Sequence, residues 1–460
     1  MKLSAGVFDT LAEIVGANGV RRAPGELAAY SRDATPLFRA MPDAVVFPRT
    51  TGEVAEVLKL ATAHRIPVVP RGAGSNLCAG TVPLAGGIVL ALTRMTRILE
   101  VSGAELLARV QPGVTTARLA DAAAVEGLLY APDPGSRVTS TVGGNVATCA
   151  GGLRGLKYGV TRNYVLGLEA VLPTGEVIRT GGRLWKDVAG YDLTRLLTGS
   201  EGTLAVLTEL TVALLPQPAE VGTGVAYFAS LADACRAVAA IISAGIVPAT
   251  LEFLDQKCIS AVDDYAKLDL RRDAGALLLF GDDGPIEVVA GNLVRLRKIC
   301  ADAGALEVTL AENIARSDAL LAARRCSLPA LSRLGSLTIL EDVTVPRPRL
   351  AEMVERIDEI ALRFGLLIAT FGHAGDGNLH PTCVLDPEDT DAVERAHKAF
   401  AEIFSTALRF DGTITGEHGV GAAKLPYLAE RLGADQIRLL RRIKTAFDPA
   451  GILNPGKVGS

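Results

Sequence analysis

Histidine is scarce in this sequence: five residues among 460. There is one tryptophan, and aromatic residues make up 5% of the chain. Arg236 interrupts the richest apolar stretch, so no 18-residue apolar run exists and no membrane span is expected. The seven cysteines, at 78, 149, 235, 258, 300, 326 and 383, are odd in number and form no Cys-x-x-Cys pair. That excludes a ferredoxin-type cluster within the chain and fits unpaired thiols in a reducing cytoplasm. No basic block is present and the net charge is −4, which argues against nucleic acid as a partner. Asp9 and Glu13 break any apolar core near the start. Val7, Leu11, Ile14 and Val15 therefore predict an amphipathic helix, not a signal peptide.

The composition is 49% hydrophobic and 21% charged, that of a packed globular chain, and the length prior is about three domains. Residues 1–41 read as a helical arm with a polar turn at Ser31-Arg32-Asp33. From 42 to 218, short β-branched runs alternate with helical patterns. Ala44–Phe47, Ile66–Pro70 and Gly87–Leu92 read as strands. Thr51–His64 reads as a helix with Thr51 as N-cap. From 219 to 430 longer helices (233–243, 286–301, 349–364) alternate with strands, giving a second α+β unit after the breaks at Pro216 and Pro218. Residues 431–460 are too short for a domain and are expected to pack back on the first one.

Three of the five histidines fall in two short segments, Gly372-His373-Ala374-Gly375-Asp376-Gly377-Asn378-Leu379-His380 and Gly416-Glu417-His418-Gly419. His373 and His380 are seven apart, which fits no single helical face. With a turn at Gly375-Asp376-Gly377, His373 would end one strand and His380 begin the next. Glu417 would arrive on a separate loop. Two imidazoles and a carboxylate with an open position are the donor set of a catalytic metal site, set beside a candidate base. Asp376 reads as a turn former, and His64 and His397 as incidental.

The first half is rich in glycine. Arg71-Gly72-Ala73-Gly74-Ser75-Asn76 follows a strand, but Thr81-Val82-Pro83 beyond it has no helical period. A Rossmann loop is therefore disfavoured, although exposed backbone amides can cradle a diphosphate without a helix. Pro132-Asp133-Pro134-Gly135-Ser136, Thr141-Val142-Gly143-Gly144-Asn145, Lys157-Tyr158-Gly159-Val160-Thr161 and Gly199-Ser200-Glu201-Gly202-Thr203-Leu204 follow in order. Glycines this dense allow backbone to approach a ligand closely.

In this order, these five motifs resemble the FAD-binding domain of the vanillyl-alcohol oxidase and p-cresol methylhydroxylase superfamily. The late histidine motifs resemble its glycolate oxidase and D-lactate dehydrogenase branch, to which D-2-hydroxyglutarate dehydrogenase also belongs. The resemblance runs from about Pro42 to Lys457. It implies an α+β fold: a two-subdomain FAD-binding domain plus an α+β cap with an antiparallel sheet. Pro70, Arg71, Gly72, Ala73, Gly74, Ser75, Asn76 and Gly80 would hold the diphosphate. Pro134, Gly135, Ser136, Thr141, Gly143, Gly144, Asn145 and Thr148 would line ribityl and isoalloxazine, with Gly151, Gly152, Tyr158, Gly159 and Val160. Glu201, Gly202, Thr203 and Val206 would add contacts, the last two near the adenine, and Asn454 would return on the C-terminal tail. Some relatives attach FAD through a histidine in the first glycine loop; none stands here, so non-covalent FAD is expected.

The resemblance further assigns His373, His380 and Glu417 to a divalent metal (Zn, Fe or Mn) and His418 to proton abstraction or, alternatively, a substrate hydrogen bond. Asn378 would support the site or touch substrate. Arg324 would bind the substrate carboxylate, with Arg325 as the alternative register; Leu321 stands where the family often has tryptophan. The implied reaction is oxidation of a D-2-hydroxy acid, D-lactate or glycolate ahead of 2-hydroxyglutarate. The acidic stretch Glu341-Asp342 disfavours a second substrate carboxylate if it faces the pocket. Electrons would pass to quinone, an electron-transfer flavoprotein or an iron–sulfur protein. A homodimer and peripheral contact with a membrane are compatible with this composition. An oxygen-using alcohol or carbohydrate oxidase, and a metal hydrolase of a nucleotide substrate, stand as alternatives.

Overall fold

A computed structural model describes residues 3–460. It divides into two compact units: residues 1–150, 160–217 and 417–460, and residues 151–159 and 218–416. The seam after Gln217 falls at the proline pair. Residues 417–430, read with the cap in the sequence, group with the first unit, and 151–159 group with the second.

The first unit carries two sheets. In one, Ala44–Val46, Ile88–Ala91 and Val68–Arg71 run parallel, and Val20–Arg21 adds an antiparallel edge. The helices Ala5–Val15 and Thr51–His64 bury Val7, Leu11, Val54, Val57, Leu58 and Ala61 on its core. The cap of the second helix is Thr50, not Thr51: the Thr50 hydroxyl accepts from the Glu53 amide, and Thr51 is already helical. Val68 lies on a sheet edge. The C-terminal tail covers it, with Val68 N–H donating to Ile452 O and Asn454 N–H to Val68 O. The other sheet is antiparallel, in the order Ile98–Ser102, Leu107–Val110, Val206–Ala213, Val165–Val171, Val177–Gly181.

The second unit is built on an eight-stranded antiparallel sheet that includes Glu220–Phe228, Thr250–Asp255, Ala276–Gly284, Leu367–His373 and Asn378–Leu385. Its helices are amphipathic. Leu350–Phe364 buries Leu350, Met353, Val354, Ile357, Ile360 and Ala361 and ends at Gly365 in the left-handed region. Each such apolar side chain contributes about 1.5–3 kcal/mol on burial. Among the described residues none of the seven cysteines forms a disulfide. No helix among the described residues is long and apolar enough to cross a membrane.

Candidate active site

Strand Leu367–His373 ends on His373, and strand Asn378–Leu385 takes the chain back. His373 pairs with Asn378 and Phe371 with His380, so the two histidines sit two rungs apart on one face of the hairpin. Their ring centroids are 5.1 Å apart at 89°. The connecting turn is tightly specified. Gly377 has φ +84°, and a Cβ there would collide with Val345 O. Asp376 accepts from the Asn378 amide at 3.3 Å, Gly375 N–H donates to Leu251 O, and Arg347 Nε donates to Gly375 O. The spacing of seven is thus resolved by the glycine turn.

Behind His373 stands a residue that the sequence did not single out. Glu252, 1% exposed, places Oε1 2.7 Å from His373 Nδ1. Its Oε2 lies 2.8 Å from Arg324 Nη2. A carboxylate on Nδ1 fixes the orientation of the His373 ring, as such a partner does for a metal-ligating histidine. Arg324 is buried too, stacked 4.7 Å over the Phe371 ring, and its Nε–H has no acceptor among the described residues. Its guanidinium is therefore ion-paired first to Glu252, while its Nε–H is left over among the described residues.

The loop carrying Glu417 is fixed by Asp342, which is fully buried. Asp342 accepts from the Gly416 amide at 2.7 Å and from the Thr415 hydroxyl at 3.0 Å. The acid at 342 thus anchors this loop. A Cβ on Gly416 would strike Thr344 Oγ1 and lie 2.7 Å from Asn378 Cγ. Asn378 in turn accepts from Thr344 Oγ1 at 3.2 Å, which makes it a support for the loop. One ligand atom each from His373, His380 and Glu417 lie within 4.8 Å of one another. Two imidazoles and one carboxylate at that spacing fit a Zn, Mn or Fe ion. His418 Nε2 is 3.7 Å from Glu417 Oε1.

The glycine motifs behave differently from one another. The amides of residues 72–77 donate to no group among the described residues, so they form a run of unspent N–H groups suited to a diphosphate. The Arg71 side chain does not join them. It turns back under Gly74 to Arg32 O, 2.8 Å away, and to Thr81. Thr141–Thr148 is not a loop: Val142–Thr148 is a helix capped by the Thr141 hydroxyl, with Asn145 donating to Thr116 Oγ1. Tyr158 donates to Asp283 within the second unit. Tyr130, just before Pro132-Asp133-Pro134, was missed. Its hydroxyl is buried without a partner among the described residues, and burial pushes the phenol up. Asn454 donates to Gly80 O and Glu201 O, while its Oδ1 has no hydrogen-bond partner among the described residues. Unspent buried polar atoms beside an amide run fit a large polar cofactor.

Two sequence profiles match this chain: "FAD binding domain" over residues 42–181 and "FAD linked oxidases, C-terminal domain" over 217–458. The chain is 52% identical to the glycolate oxidase subunit GlcD of Bacillus subtilis, covering 93% of this chain and 91% of that protein. The chain belongs to the FAD-linked oxidases. A D-lactate dehydrogenase of Archaeoglobus fulgidus is 40% identical over 94% of this oxidase and 95% of its own length. The crystal structure of p-cresol methylhydroxylase shares the fold at TM-score 0.83 and 18% identity, covering 99% of this oxidase and 98% of that chain.

In this FAD-linked oxidase Glu201 organises the segment after His418. Its carboxylate accepts from Val420 N–H at 2.8 Å and Gly421 N–H at 2.7 Å. Burial raises its pKa above the ordinary 4.5, against the lowering effect of those two amides and of Lys457 and Lys424. A carboxyl with a raised folded value gives its full stability below the unfolded value and loses it as pH rises through the folded one. Relative to Glu201→Gln, which cannot ionise, the native protein should therefore lose stability as pH climbs above 4.5. Urea midpoints of both proteins across that range measure it, and a difference moving the other way contradicts it.

Proposed function

We propose that this FAD-linked oxidase oxidises a small D-2-hydroxy acid, glycolate or D-lactate, to the 2-oxo acid and passes the electrons to a separate acceptor. The observation that carries this is the cluster of His373, His380 and Glu417 with His418 next in the chain. The activities that the two relatives are named for, glycolate oxidase and D-lactate dehydrogenase, support it. The first of them is named as one subunit of its oxidase, which supports an acceptor held by another chain.

The amides of 72–77 would hold the diphosphate of non-covalent FAD, which would supply a hydride acceptor for the C2 hydrogen. His373, His380 and Glu417 would hold a divalent ion, which would supply Lewis acidity to lower the pKa of the substrate hydroxyl. His418 takes the hydroxyl proton onto its imidazole, so that the substrate oxygen carries alkoxide character and closes to the carbonyl as the C2 hydride leaves. The spare Nε–H of Arg324 binds a substrate carboxylate oxygen. Glu252 holds the His373 ring in one orientation, and Asn378 and Asp342 keep the Gly416 backbone in place.

A substrate panel with a dye acceptor tests this. Glycolate or D-lactate should exceed D-2-hydroxyglutarate in kcat/KM by about tenfold or more. Chelation should abolish turnover, and Mn2+ or Zn2+ should restore it. Preference for D-2-hydroxyglutarate, or full activity after proven metal removal, overturns the corresponding part.

A further inference from the structure

Residues 151–159 hold a charged cluster that plays no part in the chemistry above. Lys157 Nζ lies 2.9 Å from Asp282 Oδ1 and 2.6 Å from Asp283 Oδ1, and also donates to the Asp283 carbonyl. Tyr158 Oη donates to Asp283 Oδ1 at 2.8 Å, and Asn292 Nδ2 to Asp282 Oδ2 at 2.7 Å. Both aspartates are buried at the end of strand Ala276–Gly284. Partial burial alone would lower the Lys157 ammonium; hydrogen bonds to Asp283 and Asp282 outweigh it, and the net shift is upward.

What this clamp holds is the four-residue helix Gly155–Tyr158, which lies beside strand Thr250–Asp255, the strand of Glu252. A Cβ on Gly155 would be 2.6 Å from Asp376 Oδ2, and one on Gly375 would be 2.5 Å from Leu156 Cδ2. The helix therefore covers the turn that joins His373 to His380. Four residues cannot hold a helix by themselves in water. Its attachment depends on Lys157 and Tyr158 gripping Asp282 and Asp283. Lys157 is partly exposed, but removing it would leave two buried carboxylates without their cation, which is unfavourable.

The geometry points to Lys157 as a positioning residue: with Tyr158, Asp282 and Asp283 it presses the Gly155–Tyr158 helix onto the His373–His380 turn and so sets the grip on the divalent ion. This rests on the metal assignment made under the proposed function. No ligand is removed in Lys157→Met, so a purely local structural role would leave metal affinity unchanged.

The test is Mn2+ affinity, read by electron paramagnetic resonance on chelator-stripped holoenzyme with its flavin retained. Lys157→Met should bind Mn2+ about tenfold more weakly than wild type, with flavin content unchanged. Lys157→Arg, which can still bridge both aspartates, should recover to within about twofold. If Lys157→Met fails to fold, Tyr158→Phe removes a single hydrogen bond and should weaken Mn2+ binding by about threefold. Wild-type affinity in folded Lys157→Met or Tyr158→Phe overturns the positioning role. A wild-type holoenzyme that binds no Mn2+ overturns the metal assignment itself and this inference with it.

Discussion

Glu252→Ala should destabilise the protein by about 3–5 kcal/mol and weaken divalent-ion binding about 10- to 100-fold. The two effects have separate causes. Without the carboxylate, the Arg324 guanidinium is left buried against Phe371 with no counter-charge, and a lone buried charge is far costlier than a missing pair. His373 also loses the group that orients its ring. Glu252→Gln should fall between, because an amide oxygen can still accept from His373 while the charge opposite Arg324 is gone. Arg324→Leu should destabilise by a comparable amount, and the Glu252→Gln/Arg324→Leu double variant by less than the sum of the singles, since the two remove one interaction. Urea melts followed by circular dichroism give the stabilities, and Mn2+ titration gives the affinity. A Glu252→Ala protein within about 0.5 kcal/mol of wild type would show that Arg324 finds its balance elsewhere.

Arg324 illustrates how far the sequence could be read. The family resemblance assigned it to the substrate carboxylate, but nothing in the local pattern announced its partner 72 residues earlier, Glu252. Strand Thr250–Asp255 is buried at every position. A glutamate there has no alternating pattern to distinguish it from an outward-facing one. Asp282 and Asp283 are hidden for the same reason, at the end of a strand that is buried along almost its whole length. The histidine hairpin was legible because its turn is local: glycines at 375 and 377 state the reversal within the motif that carries both rings. The Val142–Thr148 helix was not. Gly143 and Gly144 each cost about 1 kcal/mol in a helix, and only the close approach of Gly143 to Pro112 and the Thr141 cap explain why one forms.

Removing the imidazole of His418 should lower kcat by about 10²- to 10⁴-fold while leaving KM within a few-fold, because the proposed ligands and the carboxylate-binding group stay in place. The substitution also separates the two roles the sequence left open. If His418 takes the hydroxyl proton, His418→Gln should be as slow as His418→Ala, since an amide cannot accept a proton at neutral pH. If it only donates a hydrogen bond to substrate, His418→Gln should recover most of the loss. Added imidazole should rescue His418→Ala in the first case alone. The loop argues for a residue held rather than one free to swing. Gly416 N–H is gripped by Asp342 on one side, Val420 N–H and Gly421 N–H are gripped by Glu201 on the other, and only three residues lie between. A base confined in this way needs no reorganisation at the moment of transfer, and so its loss should appear in kcat rather than in substrate binding. Stopped-flow measurement of flavin reduction isolates that step. An unchanged reduction rate in His418→Ala would remove proton abstraction from this residue.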